Sequence, residues 1–419
     1  MNTFNRRQFL KFLGIASAAT AAASLPLRVS ATTTAPRVVI IGGGFGGATL
    51  AKYLKLWGDN VDVTLVEPNT THISCILSNL VVTGAIGMDR ITLQYDRLRS
   101  RGVRVLQDLA VGIEPEIRQV KLATGTTIPY DRLVLSPGID FLSIPGLDSS
   151  KVPHAWQAGQ QTTLLRNQLS AMPAGGTFVM TIPKAPYRCP PGPYERACVV
   201  ADYLKRKKPG SRIVVLDANA GILVEPHNFG QAFNETYRGN LEYYTNAMIS
   251  EVDSSTRTVY TSIGNFSASV LNVLPPQQAG WIVRRAGLAA DPTGRWAPVN
   301  PLSYESASVA NIHVIGDSQA TGQPKSGHMA SSQAKVCADA ILRSFAGLAP
   351  HPAPATNSAC YSPISSSKAS WLSANYQYDP ATRTMKLVSD SFGEAKEANG
   401  DNYEDMFQWA DNVFADSFR

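Results

Sequence analysis

Short apolar runs that end on glycine, proline or an acid recur along this chain and alternate with longer amphipathic stretches. Arg37-Val-Val-Ile-Ile41 reads as a fully buried strand, and it runs through a glycine turn into a helical stretch from Ala48 to Trp57. Val61–Val66 is the next strand and stops on Glu67. Tyr130–Gly138 reads as a strand and turn, Thr177–Ile182 as a buried strand, and Ala197–Lys205 as the helix that follows it. Asn311–Asp317 is a late strand ending in Gly-Asp, and Gly327 to Gln333 lead into a helix over Ala334–Leu342. His351–Ala355 is a proline-containing linker, beyond which polarity is mixed and aromatics (Trp371, Tyr376, Tyr403, Phe407, Trp409, Phe414) are frequent. Strands alternating with helices predict an α/β fold.

The first turn carries chemistry. Gly42, Gly44 and Gly47 stand in G-x-G-x-x-G order between strand and helix, and Glu67 follows about 20 residues later at the end of the second strand. Gly42 allows the tight turn, Gly44 the approach of a pyrophosphate, Gly47 the close packing of helix on strand, and Glu67 suits an adenosine ribose. Two more landmarks make the dinucleotide FAD. They are the strand and turn at 130–138 and the strand ending on Asp317, whose carboxylate suits a ribityl chain. The helix after Gly327 would point its positive end at a reduced flavin ring. The expected organisation is an FAD-binding domain split into 36–155 and 300–350, with a second Rossmann-like domain at 156–299 and a small C-terminal interface domain at 351–419.

The turn where a second nucleotide would bind is built differently. Lys184-Ala-Pro-Tyr-Arg-Cys-Pro-Pro-Gly-Pro-Tyr-Glu-Arg196 holds Pro190, Pro191 and Pro193, which offer no N–H to a pyrophosphate. It also holds Cys189 and Glu195. The turn reads as thiol chemistry, on a flavoprotein that does not take electrons from NAD(P)H.

Composition narrows the class. The chain has 419 residues, 44% hydrophobic and 17% charged, which suits a globular protein of two or three domains. Residues 1–31 hold Arg6, Arg7, Lys11 and Arg28 and no acid, so the net charge of +6 drops to about +2 without them (6 − 4), too little for a nucleic-acid partner. Those residues are ordered as a twin-arginine run, an apolar stretch from Phe12 to Leu27 and a small-residue Val29-Ser30-Ala31 site. The expectation is a leader for twin-arginine export and a periplasmic protein. No other apolar run is long enough to span a bilayer, and the six histidines lack metal-ligand spacing. Five cysteines are an odd number for an oxidising compartment.

These motifs resemble the two-dinucleotide-domain disulfide-reductase flavoproteins, and within them the flavoprotein subunit of flavocytochrome c sulfide dehydrogenase. The residues that carry the likeness include Gly42–Ala48, Glu67-Pro-Asn-Thr70, Cys75-Ile-Leu-Ser-Asn79, His154-Ala-Trp156, Arg188–Ala197, Val314–Asp317, Pro324–Gly327 and Cys360-Tyr-Ser362. The fold this implies is two Rossmann-like dinucleotide-binding domains of the disulfide-reductase type plus a small C-terminal domain. The resemblance implies a thioether from Cys75 to the flavin, a redox-active disulfide between Cys189 and Cys360, and an acid, Glu195, beside it. Cys198 and Cys337, in apolar helical stretches, are left as core residues. Hydrosulfide would open the disulfide and electrons would pass to FAD, with Glu195 managing the proton. Lys325 would balance the charge of reduced flavin, or be a solvated loop lysine. The plainer alternatives are Glu195 as a surface carboxylate at a helix start and the disulfide as an inert structural bond, against which a cysteine in a proline-rich turn on the cofactor side argues for a reactive one. The family implies a c-type cytochrome subunit as electron acceptor; the chain has no Cys-x-x-Cys-His, so the haem belongs to a separate chain. The rivals are a sulfide:quinone oxidoreductase at the membrane surface, which the acidic stretch 396–419 disfavours, and a non-catalytic flavin-bearing partner protein.

Overall fold

Branched apolar side chains on both backbone faces leave four short strands almost wholly buried, so these must be covered on both sides, while a fifth, at the edge, is only partly covered. They form a parallel sheet in the order Ile312–Val314, Arg132–Leu135, Arg37–Ile41, Asp62–Val66, Arg104–Leu106. This computed structural model describes residues 35–419. The expected leader at 1–31 lies outside the described residues. The sheet draws its edge strand from far along the chain. Residues Ile312–Val314 dock beside Arg132–Leu135, which brings Asp317 to the same sheet end as the glycine turn.

A second parallel sheet is ordered Leu241–Tyr244, Arg212–Asp217, Thr177–Ile182, Val270–Asn272. An antiparallel pair, Ile139–Phe141 with Gln277–Ala279, stands where the chain leaves the first sheet region and where it returns. The helix after Thr177–Ile182 spans Gly192–Lys207, five residues longer at its start than the apolar pattern shows. Pro191 caps it and Pro193 lies in the first turn, where a missing N–H costs nothing. Glu195 is therefore a first-turn helical residue and not a turn residue. The helix after the last sheet strand begins at Gly327, where the sequence placed its start, and runs unbroken to Phe345.

The C-terminal segment is an antiparallel sheet, in which Ala355–Pro363 pairs with Ala369–Asp379, followed by the helix Gly400–Phe418. It does not stand apart: residues 35–419 form one compact unit. Met406, Ala410, Phe414 and Phe418 join the core that covers the first sheet. Lys52, on the helix Phe45–Trp57, donates to the carbonyls of Ala415 and Asp416 (3.0 Å each), satisfying acceptors that a helix end leaves bare. Tyr53 and Ser331 both donate to Asp416, so one carboxylate ties three helices.

Candidate functional site

Two adjoining cavities form where the sheet end, the cysteine turn and the C-terminal sheet meet. The larger, about 520 Å³, runs from the glycine turn past Glu67, His72 and Ser136 to Asp317. The smaller is lined by Cys189, Cys360, Glu195, Trp156, Tyr361 and Trp409. Cys75 and Arg188 line both.

The larger cleft fits a dinucleotide. Gly42 has φ of +99°, and a side chain there would strike the Ser136 carbonyl. A Cβ on Gly47 would lie 1.9 Å from the Gly42 oxygen, so only glycine lets the helix sit this close to the strand. At Gly44 the nearest atom to such a Cβ is the His72 ring, at 3.6 Å, so this position faces the cleft. Glu67 is buried; it accepts from the Gly43 amide at 2.8 Å and from Asn69 at 2.7 and 2.9 Å. Two buried polar atoms lining the cleft have no partner among the described residues, Asp317 Oδ1 and His72 Nε2. An orphaned buried acceptor is costly, and a ribityl or phosphate-bearing ligand is what would relieve it. The His72 ring is fixed edge-on by Phe45 and stacked on Phe418 at 5.3 Å. Burial holds its pKa down, to about 4.

In the smaller cavity the two cysteines arrive from different elements, Cys189 from the proline turn and Cys360 from the strand Ala355–Pro363. Cys189 adopts φ of +57°, a conformation that L residues avoid, and its amide donates to the Lys325 carbonyl at 2.6 Å. Gly192 gives its thiol room: a Cβ there would come within 2.8 Å of the Cys189 sulfur. All five cysteines are free thiols in the structure, so the expected Cys189–Cys360 bond is not formed in it. Burial pushes both thiols up, Cys360 to about 12 and Cys189 well above its usual value, and the two acids Glu195 and Glu225 add to the rise at Cys360. Cys75 is raised as well, again by burial. A thiol so raised is a poor nucleophile, because only the thiolate attacks. Cys198 and Cys337 are fully buried in apolar core.

Glu195 is buried, 8% exposed, and its Oε1 accepts from the Asn79 amide at 2.9 Å. Burial lifts its pKa to about 8, against the hydrogen bond and the charge of Arg196. Asn79 in turn accepts from Arg196 Nε at 2.8 Å. Arg196, 1% exposed, also donates to the carbonyls of His154 and Ala155 and to Asn272, and lies 4.8 Å from the Trp156 ring centre. The acid therefore has a built support that the spacing of residues did not reveal. Its signal was present in Asn79 and Arg196 of the two quoted motifs, but nothing in the sequence joins residues more than a hundred positions apart.

Lys325 is placed otherwise than expected. Its ammonium donates to the carbonyls of Asp317 (2.8 Å) and Gln319 (2.7 Å) and sits 3.8 Å from the Trp296 ring centre. It lines neither cavity. Burial lowers its pKa to about 8, and its ammonium braces the loop through those two carbonyls. The cation that does border both cavities is Arg188, one residue before Cys189.

Comparisons with known proteins agree with this geometry. Residues 162–275 match the central region of the sulfide dehydrogenase [flavocytochrome c] flavoprotein chain, and residues 352–418 its flavin-binding region. Residues 36–173 match the pyridine nucleotide-disulphide oxidoreductases. The sulfide dehydrogenase flavoprotein chain of Chlorobaculum thiosulfatiphilum is 56% identical over 45 residues, 11% of this chain and 94% of that sequence. The mitochondrial sulfide:quinone oxidoreductase of Mus musculus is 24% identical over 314 residues, 71% of this chain and 69% of the mouse protein. The solved sulfide:quinone oxidoreductase of Aquifex aeolicus superposes with a TM-score of 0.75 at 17% identity, covering 92% of each chain, and so shares the fold. A disulfide-reductase fold, a dinucleotide cleft and a cysteine cavity beside it, together with these matches, place the chain in the family of flavoprotein chains of flavocytochrome c sulfide dehydrogenase, flavin-dependent oxidoreductases that oxidise sulfide.

Proposed function

We propose that this chain oxidises hydrosulfide to zero-valent sulfur or polysulfide through a Cys189–Cys360 disulfide and FAD, and passes the electrons to a c-type cytochrome carried on a separate chain. The observation that supports this most is the convergence of Cys189, Cys360 and Glu195 on one cavity that shares Cys75 and Arg188 with the dinucleotide cleft. With the pair oxidised its sulfurs are electrophiles: hydrosulfide attacks one of them, a substrate–cysteine S–S bond forms, and the other cysteine leaves; burial, which pushes its thiol pKa up, makes protonation part of that departure. Bound FAD supplies a two-electron acceptor. Hydrosulfide thereby loses two electrons and one proton, and the cysteine pair returns to its oxidised form as zero-valent sulfur departs. Glu195, protonated at neutral pH, supplies the proton that quenches the leaving thiolate and recovers it from substrate. Cys75, lining both cavities, is the residue that would hold the flavin covalently.

The twin-arginine order of residues 1–31 supports export and a periplasmic site of action. Similarity to sulfide:quinone oxidoreductases over about 70% of the chain keeps a quinone as the second candidate acceptor. No helix among the described residues is long and apolar enough to cross a membrane.

Anaerobic addition of sulfide to the purified holoprotein, with Cys189→Ser beside it, tests the reading. Prompt loss of the flavin's visible band in the wild type and none in the variant is expected. Unchanged bleaching in Cys189→Ser would remove the disulfide from the path. Offering a c-type cytochrome and a short-chain quinone to the sulfide-reduced protein then decides the acceptor.

A further inference from the structure

Charged groups near the cysteine cavity divide sharply by whether their hydrogen-bonding capacity is already used. Arg196 makes four hydrogen bonds, to three backbone or amide carbonyls and Asn79, and Lys325 is held by two carbonyls and an indole face. Arg188 is different. Its backbone is pinned, the amide donating to Gln277 at 2.7 Å and the carbonyl accepting from the Trp156 indole at 3.2 Å. Its guanidinium makes no hydrogen bond or ion pair among the described residues, although the residue is half-buried. It lines both cavities at their border, and its charge bears on Cys75, Cys189, Asp317 and His72 at once. A half-buried guanidinium with all five donors unspent, held by a fixed backbone, is an anion site in waiting.

We propose that Arg188 is the anion-binding residue of this protein, holding a small inorganic sulfur anion at the border between the cysteine cavity and the dinucleotide cleft. The assignment rests on the sulfide-oxidising reading for its natural ligand, hydrosulfide, but the site itself is defined by geometry. It assigns to Arg188 the charge-balancing task that the sequence suggested for Lys325. Placement at the border lets one cation meet negative charge on the substrate side and, after electron transfer, on the cofactor side, with no movement of the backbone. Arg188 is thus distinct in role from the cysteines, which exchange bonds, and from Glu195, which moves a proton.

Sulfite is the probe, because it is a stable sulfur anion whose reaction with an oxidised flavin removes the visible band without needing the cysteines. The flavin-loaded wild type, Arg188→Gln and Arg188→Lys are titrated with sulfite, and the KM and kcat for sulfide are measured in parallel. Arg188→Gln is expected to weaken sulfite at least tenfold and to raise the sulfide KM by a similar factor, with a smaller change in kcat. Arg188→Lys, which restores a point charge without the planar fork, is expected to recover most of the sulfite affinity. Wild-type sulfite affinity in Arg188→Gln would overturn the proposal. So would a lysine variant as weak as glutamine, since charge would then not be what binds; this variant also decides the matter if the glutamine protein loses its flavin. A wild type that binds sulfite through Arg188 yet is not reduced by sulfide would leave the anion site standing and remove only the sulfide-oxidising reading.

Discussion

At Glu195 a single carboxyl shows how burial turns an ordinary acid into a proton carrier. In water it would ionise near 4.5; in this cavity it holds its proton to about 8. The one direct hydrogen bond it accepts, from Asn79, favours the charged form, and burial outweighs it. Below pH 8 it can donate to a leaving thiolate, and above pH 8 it cannot. The rate of anaerobic flavin reduction by sulfide is therefore expected to decline as pH rises through about 8, where hydrosulfide itself is no longer the limiting species. Glu195→Gln should lower the rate by about 10²–10⁴-fold and abolish that alkaline limb. A glutamine variant with the wild-type rate and the same limb would reduce Glu195 to a packing residue.

The C-terminal helix illustrates what one element contributes to a site it does not belong to by sequence. Phe418, the penultimate residue of the chain, is 2% exposed and stacks on His72, with Phe45 edge-on at 5.6 Å. Phe45 opens the glycine-turn helix, and His72 presents an unpartnered nitrogen to the dinucleotide cleft. The helix Gly400–Phe418 thus holds one wall of the cleft from behind. Phe418→Ala removes a buried ring, at a cost of about 3–5 kcal/mol, and frees the His72 ring to turn. The expected result is a lower thermal midpoint together with a lower flavin-to-protein ratio in the purified variant. A variant that loses stability but carries as much flavin as the wild type would confine Phe418 to packing. The same element scale explains why Gly192 opens its helix: any side chain there would displace either the Cys189 thiol or the Trp156 ring.

For the molecule as a whole, buried ionisable groups make stability depend on pH in two opposing ways. Glu195 and Glu225 keep their protons in the folded state to about 8 and about 7, in each case through burial, while the unfolded chain releases them near 4.5. Over that range the unfolded state binds fewer protons, so these acids subtract stability as pH rises. His72, His154 and His313 stay neutral down to about 4 through burial, while the unfolded chain protonates them below 6.5, so they add stability as pH rises from 4 to 6.5. Below 6.5 the two sets oppose each other; above it the carboxyls dominate until, near pH 8, buried Lys325 begins to lose its proton in the folded state and opposes them. The thermal midpoint of the flavin-loaded protein is expected to fall from pH 6.5 to 8. Glu195→Gln should flatten most of the fall between 7 and 8, where Glu225 is losing the last of its protons. A midpoint that rises across this interval would contradict the buried, protonated state of both acids.

What could be read from the chain alone was whatever depends on near neighbours. Arg37–Ile41, the glycine turn and Glu67 declare a dinucleotide-binding βαβ unit because strand, turn and helix are local and their periodicities differ. The prolines at 190, 191 and 193 mark a turn unfit for a pyrophosphate for an equally local reason, the missing N–H. Tertiary structure alone decided which side chains share a cavity and which are already satisfied. Lys325 and Arg188 are both single cations beside a site motif, and sequence offers no ground for choosing between them; the carbonyls of Asp317 and Gln319 occupy the first, and no acceptor among the described residues occupies the second. Asn79, Arg196 and Glu195 form one support only because the short helix Ser78–Val82 packs on the start of Gly192–Lys207. Hydrogen bonds and desolvation act over a few ångströms in space, and separation along the chain carries no record of that distance.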